Sequence, residues 1–325
     1  MYDQITLEKG MYHLANRTFT EALEAADPSA QYQGTPLANL DAYERQLKRF
    51  DIHVSGKHCD NVEKFFTTTQ SAVLFPEFIR RAVRQGMEES ILPELTAASA
   101  QVRATAAKGF TVNESAGGYG TPVDEGESFT ATAIRETDDA IALAKYGRLI
   151  TASYETVRTQ RIDIFAVMLR AVGRKLAAAI AGSALTAVTG AVTPIETAST
   201  SLAYADLTNL YAQFTDYDLT TVVASPAVIG TILAMEQMAE RTLDANGNVR
   251  LPFGAKLIAS SALDDKTLVG ISKDYAVACL IGSDVTLESD RLIDCQLDRI
   301  AVSVRVGFQP LMTGAAAVLE VKTGA

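Results

Sequence analysis

The 325-residue chain contains no tryptophan and only three histidines, the residue on which most acid-base sites depend. His13, His53 and His58 all lie close to the N-terminus. A catalytic triad requires a base beside its serine or cysteine nucleophile, so a nucleophile in the rest of the chain would have to recruit a distant histidine. The scarcity of histidine therefore argues against a hydrolase of the triad type.

Cysteine is as rare as histidine. Cys59, Cys279 and Cys295 form an odd set without paired spacing, which excludes a disulfide framework. This pattern fits thiols that serve as packing residues in a reducing cytoplasm. The sequence also begins without a basic region followed by an apolar core, so we expect no signal peptide.

Long hydrophobic runs are absent, with one exception. The twenty residues between Lys175 and Glu196 carry no charge, and this length is sufficient for a membrane span. Most of them are small, and Pro194 interrupts them. The pattern therefore predicts the weakly apolar end of a helix followed by a loop, and we expect no membrane partner.

Metal-binding motifs are missing too. His53 and the run His58-Cys59-Asp60 form a conceivable cluster, but they lack the paired spacings of a structural zinc site. The segment 244–248 begins like a calcium loop, yet its glycine stands at the wrong position and no glutamate closes it. We predict a solvated segment at the first place and a plain turn at the second.

Nucleotide and acid-base motifs are equally weak. No glycine-rich loop ends in Lys-Ser or Lys-Thr, and Gly118 and Gly120 are not followed by the third glycine and helix of a dinucleotide site. Asp124, Glu125 and Glu127 offer paired carboxylates, but a glycine-rich loop favours solvated charges or intersubunit ion pairs. No catalytic, cofactor-binding or metal-binding residue is predicted, and no cofactor.

Positive charge is in deficit. Acidic residues outnumber basic ones by 39 to 29, and the formal net charge of −10 argues against a dedicated nucleic-acid-binding protein. Arg80, Arg81 and Arg84 form a basic triplet whose spacing is typical of a solvated helix face. The 48% hydrophobic and 21% charged residues are ordinary for a soluble globular protein.

The most distinctive feature present is a glycine-rich, β-patterned excursion that begins at Gly109 and returns to Tyr154. Its return strands alternate bulky with small or polar residues, as half-buried strands do. The segment 114–127 at its tip has too few large apolar residues to bury itself. We therefore predict that this loop is stabilised by lying on another copy of the chain.

Two amphipathic helices are predicted. Asp163 is a good N-cap for a helix that runs to Ala184, about 30 Å long at ~1.5 Å per residue. Residues 1–66 have the character of an arm, in which Thr35-Pro36 begins a helix that ends at Phe50. Such a stripe must dock on the body, a neighbouring subunit or an assembly partner. The apolar positions of the two helices are Phe165, Leu169, Val172, Leu176 and Ile180, and Leu37, Leu40, Tyr43, Leu47 and Phe50.

A mixed α/β region follows. A helix is predicted from Asp206, a strand over 220–224, and a helix that Ser225-Pro226 begins. We expect the last two strands to form a long antiparallel pair across the Gln309-Pro310 bend. The further strand-like runs cover residues 255–259, 267–271, 275–281, 298–308 and 315–321.

Short motifs stand in a fixed order along the chain: Phe65-Phe66, Ser71 to Ile79, Val123-Asp124-Glu125-Gly126-Glu127, Lys145-Tyr146-Gly147, Ala224-Ser225-Pro226, Leu251-Pro252-Phe253-Gly254 and Arg305-Val306-Gly307-Phe308. No single motif is specific, but the ordered set over residues 65 to 325 resembles the major capsid proteins of tailed bacteriophages. The resemblance implies the α+β Hong Kong 97-like fold, which encapsulin shells share. That fold comprises an N-terminal arm, an extended β-loop, a peripheral domain with a long spine helix, and an axial domain.

The resemblance also implies how the chain is divided. Some family members cross-link a loop lysine to an asparagine, but Lys108 and Lys145 lie only at the loop base, so we do not expect cross-linking here. The implied divisions are an arm (1–66), the start of the peripheral domain (67–107), the extended loop (108–147), the peripheral domain with the spine helix (148–200), the axial domain (201–290) and closing peripheral strands (291–325).

The function implied by the resemblance is structural and not enzymatic. The chain would assemble into hexamers and pentamers of an icosahedral shell around double-stranded DNA, which it would contact weakly and without sequence specificity. Portal, scaffold or decoration proteins would be its partners, and the shell would be assembled in the host cytoplasm. An encapsulin-like compartment shell is the alternative. A cytosolic α/β hydrolase is the third hypothesis, and it would need a polar constellation between Asp206 and Asp290 that the sequence does not show.

Overall fold

The computed structural model describes residues 2–14, 17–113, 122–128, 133–239, 242–244, 247–292 and 297–323. The α-helices are α1 (Phe19–Ala26), α2 (Ala42–Arg49), α3 (Thr69–Ala72), α4 (Leu74–Glu88), α5 (Tyr154–Thr159), α6 (Ile162–Ala191), α7 (Tyr204–Ala212) and α8 (Pro226–Leu233). The strands are β1 (Ala98–Gln101), β2 (Ala106–Asn113), β3 (Ala133–Ala142), β4 (Ala144–Ser153), β5 (Ile195–Glu196), β6 (Thr221–Ala224), β7 (Thr242–Leu243), β8 (Val249–Arg250), β9 (Lys256–Ala259), β10 (Thr267–Ile271), β11 (Val277–Leu292), β12 (Leu297–Pro310) and β13 (Ala316–Glu320).

The chain forms two compact units, each built from three segments. Unit 1 comprises Met1–Glu89, Gly147–Leu176 and Val285–Ser303. Unit 2 comprises Ser90–Tyr146, Ala177–Asp284 and Val304–Ala325.

The core of unit 1 is aromatic. The ring of Phe65 lies 5.4 Å from that of Phe75, and Phe75 stacks on Phe165 at 6.1 Å. Leu23 of α1 and Leu47 of α2 are buried in the same core. The sequence left open whether residues 1–66 pack on the body of the subunit, on a neighbouring subunit or on an assembly partner. In the structure they pack on the body of the subunit.

Helix α2 begins later than predicted. The predicted start at Thr35-Pro36 is wrong, because residues 35–40 form turns and the helix begins at Ala42. Asp41 accepts a hydrogen bond from the Glu44 amide (2.8 Å), and the Glu44 side chain accepts one from the Asp41 amide (2.9 Å). This reciprocal capping box satisfies two amides at the start of α2 that have no carbonyl partner within the helix.

Helices α4 and α6 cross at two glycines, within unit 1. A β-carbon at Gly86 would collide with the backbone carbonyl of Arg170, and one at Gly173 would collide with the carbonyl of Val83. Both positions therefore require glycine because the backbones touch there. Periodicity gave no indication of this contact.

Helix α6 is longer than predicted at both ends. Its 30 residues span about 45 Å at ~1.5 Å per residue. Asp163 is not its N-cap but lies in the first turn, where it accepts from the Ile164 amide (2.8 Å) and pairs with Arg161 (2.7 Å). The helix ends at Ala191, before Pro194, which confirms the predicted helix end and loop. Among the described helices, none is both long and apolar enough to cross a membrane.

Unit 2 packs helices on a seven-stranded sheet of order β5-β13-β10-β6-β9-β8-β7. Leu207 of α7 and Ile232 of α8 share a core with Val222 of β6 and Leu268 of β10. The predicted cap of α8 is confirmed, since the Ser225 hydroxyl accepts from the Val228 amide at 3.3 Å.

The predicted pairing of the last two strands is wrong. Strand β13 pairs with β10 in antiparallel register, Val318 opposite Val269, and with β5 in parallel register, whereas β12 lies in a second sheet of order β1-β11-β12-β4. Ala317, Val318 and Leu319 are all buried, so both faces of β13 are covered. A strand of this kind belongs inside a sheet with a neighbour on each side, not at the end of a hairpin.

Candidate assembly surfaces

The hairpin formed by β2 and β3 presents an apolar face to solvent. Phe110 lies opposite Glu136, and Ile134 stands two residues before Glu136 in β3, so these three side chains share one face of the ribbon. The exposed fraction is 50% for Phe110 and 72% for Ile134. A two-stranded ribbon is marginal in water, and exposed aromatic and β-branched residues on one face mark an interaction surface.

The base of this hairpin is fixed to unit 2. Gln309 of β12 is almost fully buried and donates a hydrogen bond from Nε2 to the carbonyl oxygen of Phe110 (2.6 Å). The register of β2 against β3 shifts between Lys108 and Phe110, which makes a bulge. A β-carbon at Gly109 would approach the Gln309 side chain to 2.6 Å. The glycine therefore permits the close approach of the glutamine.

The described part of the loop tip is acidic and exposed. Asp124, Glu125 and Glu127 are all solvent-accessible, and the Glu127 amide donates to the Asp124 carbonyl (3.1 Å) in a turn. Gly126 adopts φ +92°, which favours glycine. Residues 114–121, the rest of the predicted intersubunit tip, lie outside the described residues.

A second apolar surface lies on the first half of α6. Ile164, Val167 and Met168 are each more than half exposed, while Phe165 and Leu169 of the same turns are buried. Their spacing of three and four residues places the exposed side chains on one helix face. The apolar stripe predicted for this helix comprises the buried positions, and the exposed residues follow the same period one position away.

The arginine triplet is not the solvated helix face that was predicted. Glu77 is fully buried and accepts hydrogen bonds from Arg80 (2.8 Å) and Arg81 (3.1 Å), and Arg81 also pairs with Asp41 at 2.7 Å. Only Arg84 has the predicted exposure. The triplet looks like a charged surface in sequence, but its first two members neutralise a carboxylate inside unit 1.

The other residues considered for chemistry stay apart or exposed. His53 contacts Asp60 (3.2 Å) at the surface, and no group of three potential metal ligands is found among the described residues. Burial raises the pKa of the Cys279 thiol to about 11, so it is protonated at neutral pH. Lys108 pairs with Glu136 (3.1 Å) on the exposed hairpin, and Lys145 is exposed at the loop base.

The match to a family of known proteins favours the capsid hypothesis. The family model described as phage capsid protein matches residues 135–318, more than half of the chain. The chain belongs to the phage capsid protein family. It is thus a structural component of a virion capsid, and the resemblance stated from the sequence motifs is confirmed.

Solved structures confirm the fold of this capsid protein. A virus-like particle from Pyrococcus furiosus matches with a TM-score of 0.55 at 13% identity, over 75% of this chain and 98% of that one. The capsid of a native GTA particle matches with a TM-score of 0.53 at 16% identity, over 71% and 90%. The SrpI encapsulin of Synechococcus elongatus PCC 7942 matches with 0.51 at 13% identity, over 69% and 85%. The chain has the Hong Kong 97-like fold. No curated protein matches the sequence.

Proposed function

We propose that the chain is a major capsid protein that assembles into hexamers and pentamers of an icosahedral shell enclosing double-stranded DNA. The observation that carries the proposal is the exposed apolar face of the β2–β3 hairpin in a chain of this family. Phe110 and Ile134 add no hydrophobic stabilisation to a monomer in which they are exposed to water, whereas contact with a neighbouring copy would bury them.

We further propose the division of this chain that its family resemblance implies. Residues 108–147 would be the extended loop, 148–200 the peripheral segment with α6 as spine helix, and 201–290 the axial domain. Residues 1–66, 67–107 and 291–325 would be the arm, the start of the peripheral domain and its closing strands. The β2–β3 hairpin supports the assignment of the extended loop, and the helix α6 supports that of the spine helix.

The partners follow from the same proposal. A net charge of −10 supports weak, sequence-independent contact with the packaged DNA, because tight binding would need a basic face. We include portal, scaffold or decoration proteins as partners and the host cytoplasm as the place of assembly. No enzymatic activity is part of the proposal.

The test is assembly of the purified protein. Expressed alone or with its scaffold, the chain should form capsomers or closed particles, measured by sedimentation and electron microscopy. Replacing residues 114–127 by a short Gly-Ser linker should leave a cooperative melt close to wild type and prevent closed shells. A stable 34.8 kDa monomer at high concentration with scaffold present would contradict the proposal.

An encapsulin-like compartment is the second candidate, and it is favoured by the fold matches to the virus-like particle and to the SrpI encapsulin. The two candidates differ in what the particle holds. Particles purified from the native host and treated with nuclease should retain protected DNA if the chain is a phage capsid protein. A co-purifying cargo enzyme in particles without DNA would support the compartment instead.

A further inference from the structure

Unit 1 contains a pocket of about 690 Å³ to which neither the fold nor the proposed assembly assigns a role. Residues of the N-terminal segment, of the stretch 66–79, of α5 and of the strands β11 and β12 line it. Its described lining shares no residue with the two apolar surfaces described above. The volume lies in the range of small-molecule binding sites.

The apolar part of the lining is continuous with the core of unit 1. Phe75, Ile79 and Ile300 line the pocket and belong to that core, and the half-buried Phe66 and Leu287 pack against it. The ring of Phe66 lies 5.0 Å from that of Phe75 in an edge-on arrangement. An apolar group that entered the pocket would therefore leave water for a surface that the fold already holds in place.

The charged part of the lining contains two cations that the subunit leaves uncompensated. Arg158 holds its guanidinium 5.2 Å from the centre of the Phe66 ring, and both Arg158 and Asp290 already have a partner. Lys9 and Arg299 differ from them, since both are exposed and neither forms an ion pair with another described residue. In a chain with a net charge of −10, two such cations beside one apolar wall favour an anionic ligand.

We propose that this pocket binds a small amphiphilic anion. Its carboxylate or phosphate group pairs with Lys9 and Arg299, and its short apolar body packs against Phe66 and Leu287. Each half of the ligand then meets the matching half of the lining, which neither an inorganic anion nor a neutral apolar molecule achieves. The inference goes beyond the capsid function and does not depend on it.

The construction of the walls favours a small ligand over a macromolecule. A nucleic-acid duplex presents its phosphates on a convex surface and binds extended basic faces, not a concave site with apolar walls. An extended peptide binds by adding to a free strand edge, whereas β11 and β12 are inner strands of their sheet. A ligand that is recognised through its charge and its apolar body needs neither surface.

Binding would also connect distant parts of the chain within unit 1. Lys9 belongs to the N-terminal segment and Arg299 to β12, so an anion held by both would link the N-terminal segment to the body of the subunit. A ligand that binds only the folded subunit stabilises it in proportion to the logarithm of its concentration. The melting temperature should therefore rise as the ligand is added.

Titration calorimetry of the purified full chain tests the proposal. The probes are octanoate and octyl phosphate, and the matched controls are 1-octanol, which lacks the charge, and acetate, which lacks the apolar body. At least one probe should bind and raise the melting temperature, and each control should bind at least tenfold more weakly.

Variants place the binding in this pocket. Lys9→Met and Arg299→Met should each weaken binding of the probe roughly tenfold, because each removes one charged donor. Lys57→Met, an exposed lysine of the same unit outside the described lining, is the matched control and should leave binding unchanged. Thr69→Trp places a large ring in the pocket from an exposed position, so it should abolish binding while the melting temperature without ligand stays near wild type.

Several results would overturn the proposal. They are the absence of binding by both probes, equal binding of octanol or acetate, and binding that survives in Thr69→Trp or in the double variant Lys9→Met, Arg299→Met. A duplex oligonucleotide or an acidic octapeptide that binds through Lys9 and Arg299, while neither probe does, would overturn it in favour of a macromolecular partner. Normal particles from Thr69→Trp would leave the capsid function intact, and the calorimetric result decides the pocket separately.

Discussion

The N-terminal segment (residues 1–66) and the β2–β3 hairpin both appear in the sequence as extensions without a core of their own. In the structure, only the N-terminal segment buries its apolar side chains within the subunit. Leu23 and Leu47 of the N-terminal segment are buried within the subunit. Phe110 and Ile134 of the hairpin remain exposed. An extension can thus pack within its own subunit or remain available to a neighbouring subunit. The burial of its largest side chains distinguishes these two kinds of extension.

Polar groups show the same contrast. Arg45 is fully buried and binds Asp27, which is also buried, at 2.6 Å. A buried ion pair is tolerated only where the surrounding structure holds both partners in place. On the hairpin, by contrast, Lys108 and Glu136 form an exposed pair worth little energy. Substitutions that disturb buried contacts should therefore destabilise the monomer most, and substitutions on the exposed hairpin least.

The largest effect is expected at the buried ion pair. Arg45→Met leaves the Asp27 carboxylate buried without its partner and removes donors to the Ser29 hydroxyl and the Leu40 carbonyl. We expect a loss of roughly 3–5 kcal/mol in the free energy of unfolding, measured by urea denaturation. Arg84→Met, on the exposed face of α4, is the control and should change stability by less than about 0.5 kcal/mol. Equal losses of stability for Arg45→Met and Arg84→Met would show that the N-terminal segment is not packed within the subunit.

The crossing of α4 and α6 should be nearly as sensitive. Gly173→Ala places a β-carbon against the Val83 carbonyl and should cost about 2–3 kcal/mol, because backbone atoms of both helices must separate. Gly190→Ala in the same helix meets no atom within 4 Å and should stabilise by up to ~1 kcal/mol. Calorimetry of the two variants gives the comparison, and a neutral Gly173→Ala would contradict the close crossing.

A smaller, pH-dependent effect is expected in unit 2. A hydrogen bond from Lys256 (2.7 Å) holds the pKa of Glu94 below its ordinary value. The pair therefore contributes stability above the ordinary pKa of Glu94, and this contribution is lost as the pH falls through the lowered one. Lys256→Met should cost less than about 1 kcal/mol at pH 7 and nothing once Glu94 is protonated. Urea denaturation at a series of pH values measures this difference, and a cost independent of pH would contradict it.

The smallest change in monomer stability is expected at the hairpin. Phe110→Ser combined with Ile134→Ser should alter the free energy of unfolding by less than about 0.5 kcal/mol, because both side chains are exposed in the monomer. Particle yield, measured by sedimentation, should nevertheless fall sharply, since these residues are available only to a neighbour. A large loss of monomer stability with normal particles would reverse the comparison.

Elements whose signal is local could be predicted from the sequence. The strand over 267–271 and the capped start of α8 agree with the structure because alternation and a Ser-Pro pair act within a few residues. The start of α2 was misplaced although Asp41 and Glu44 stood in the sequence. Two capping signals competed there, and the reciprocal one prevailed over Thr35-Pro36.

Long-range features could not be predicted in the same way. Nothing near β13 in the sequence states that β10 and β5 are its neighbours, so the next strand back, β12, was chosen wrongly. Thr20, whose hydroxyl donates to Glu77, and Asp27, which pairs with Arg45, both lie far from these partners in sequence. The glycines of the α4–α6 crossing are recognised only once both helices are placed. Of the assembly surfaces, the hairpin was predicted from its lack of core residues, whereas the exposed face of α6 was not.

The bulge at the base of the hairpin brings together two positions that are distant in the sequence. Gln309 reaches the Phe110 carbonyl only because Gly109 has no side chain in its path. A larger residue at position 109 would require a smaller one at position 309, whereas Phe110 and Ile134 beyond this anchor are exposed and place no such demand on the core of the subunit. These exposed side chains can therefore be replaced to suit a different neighbouring surface without refolding the subunit that carries them.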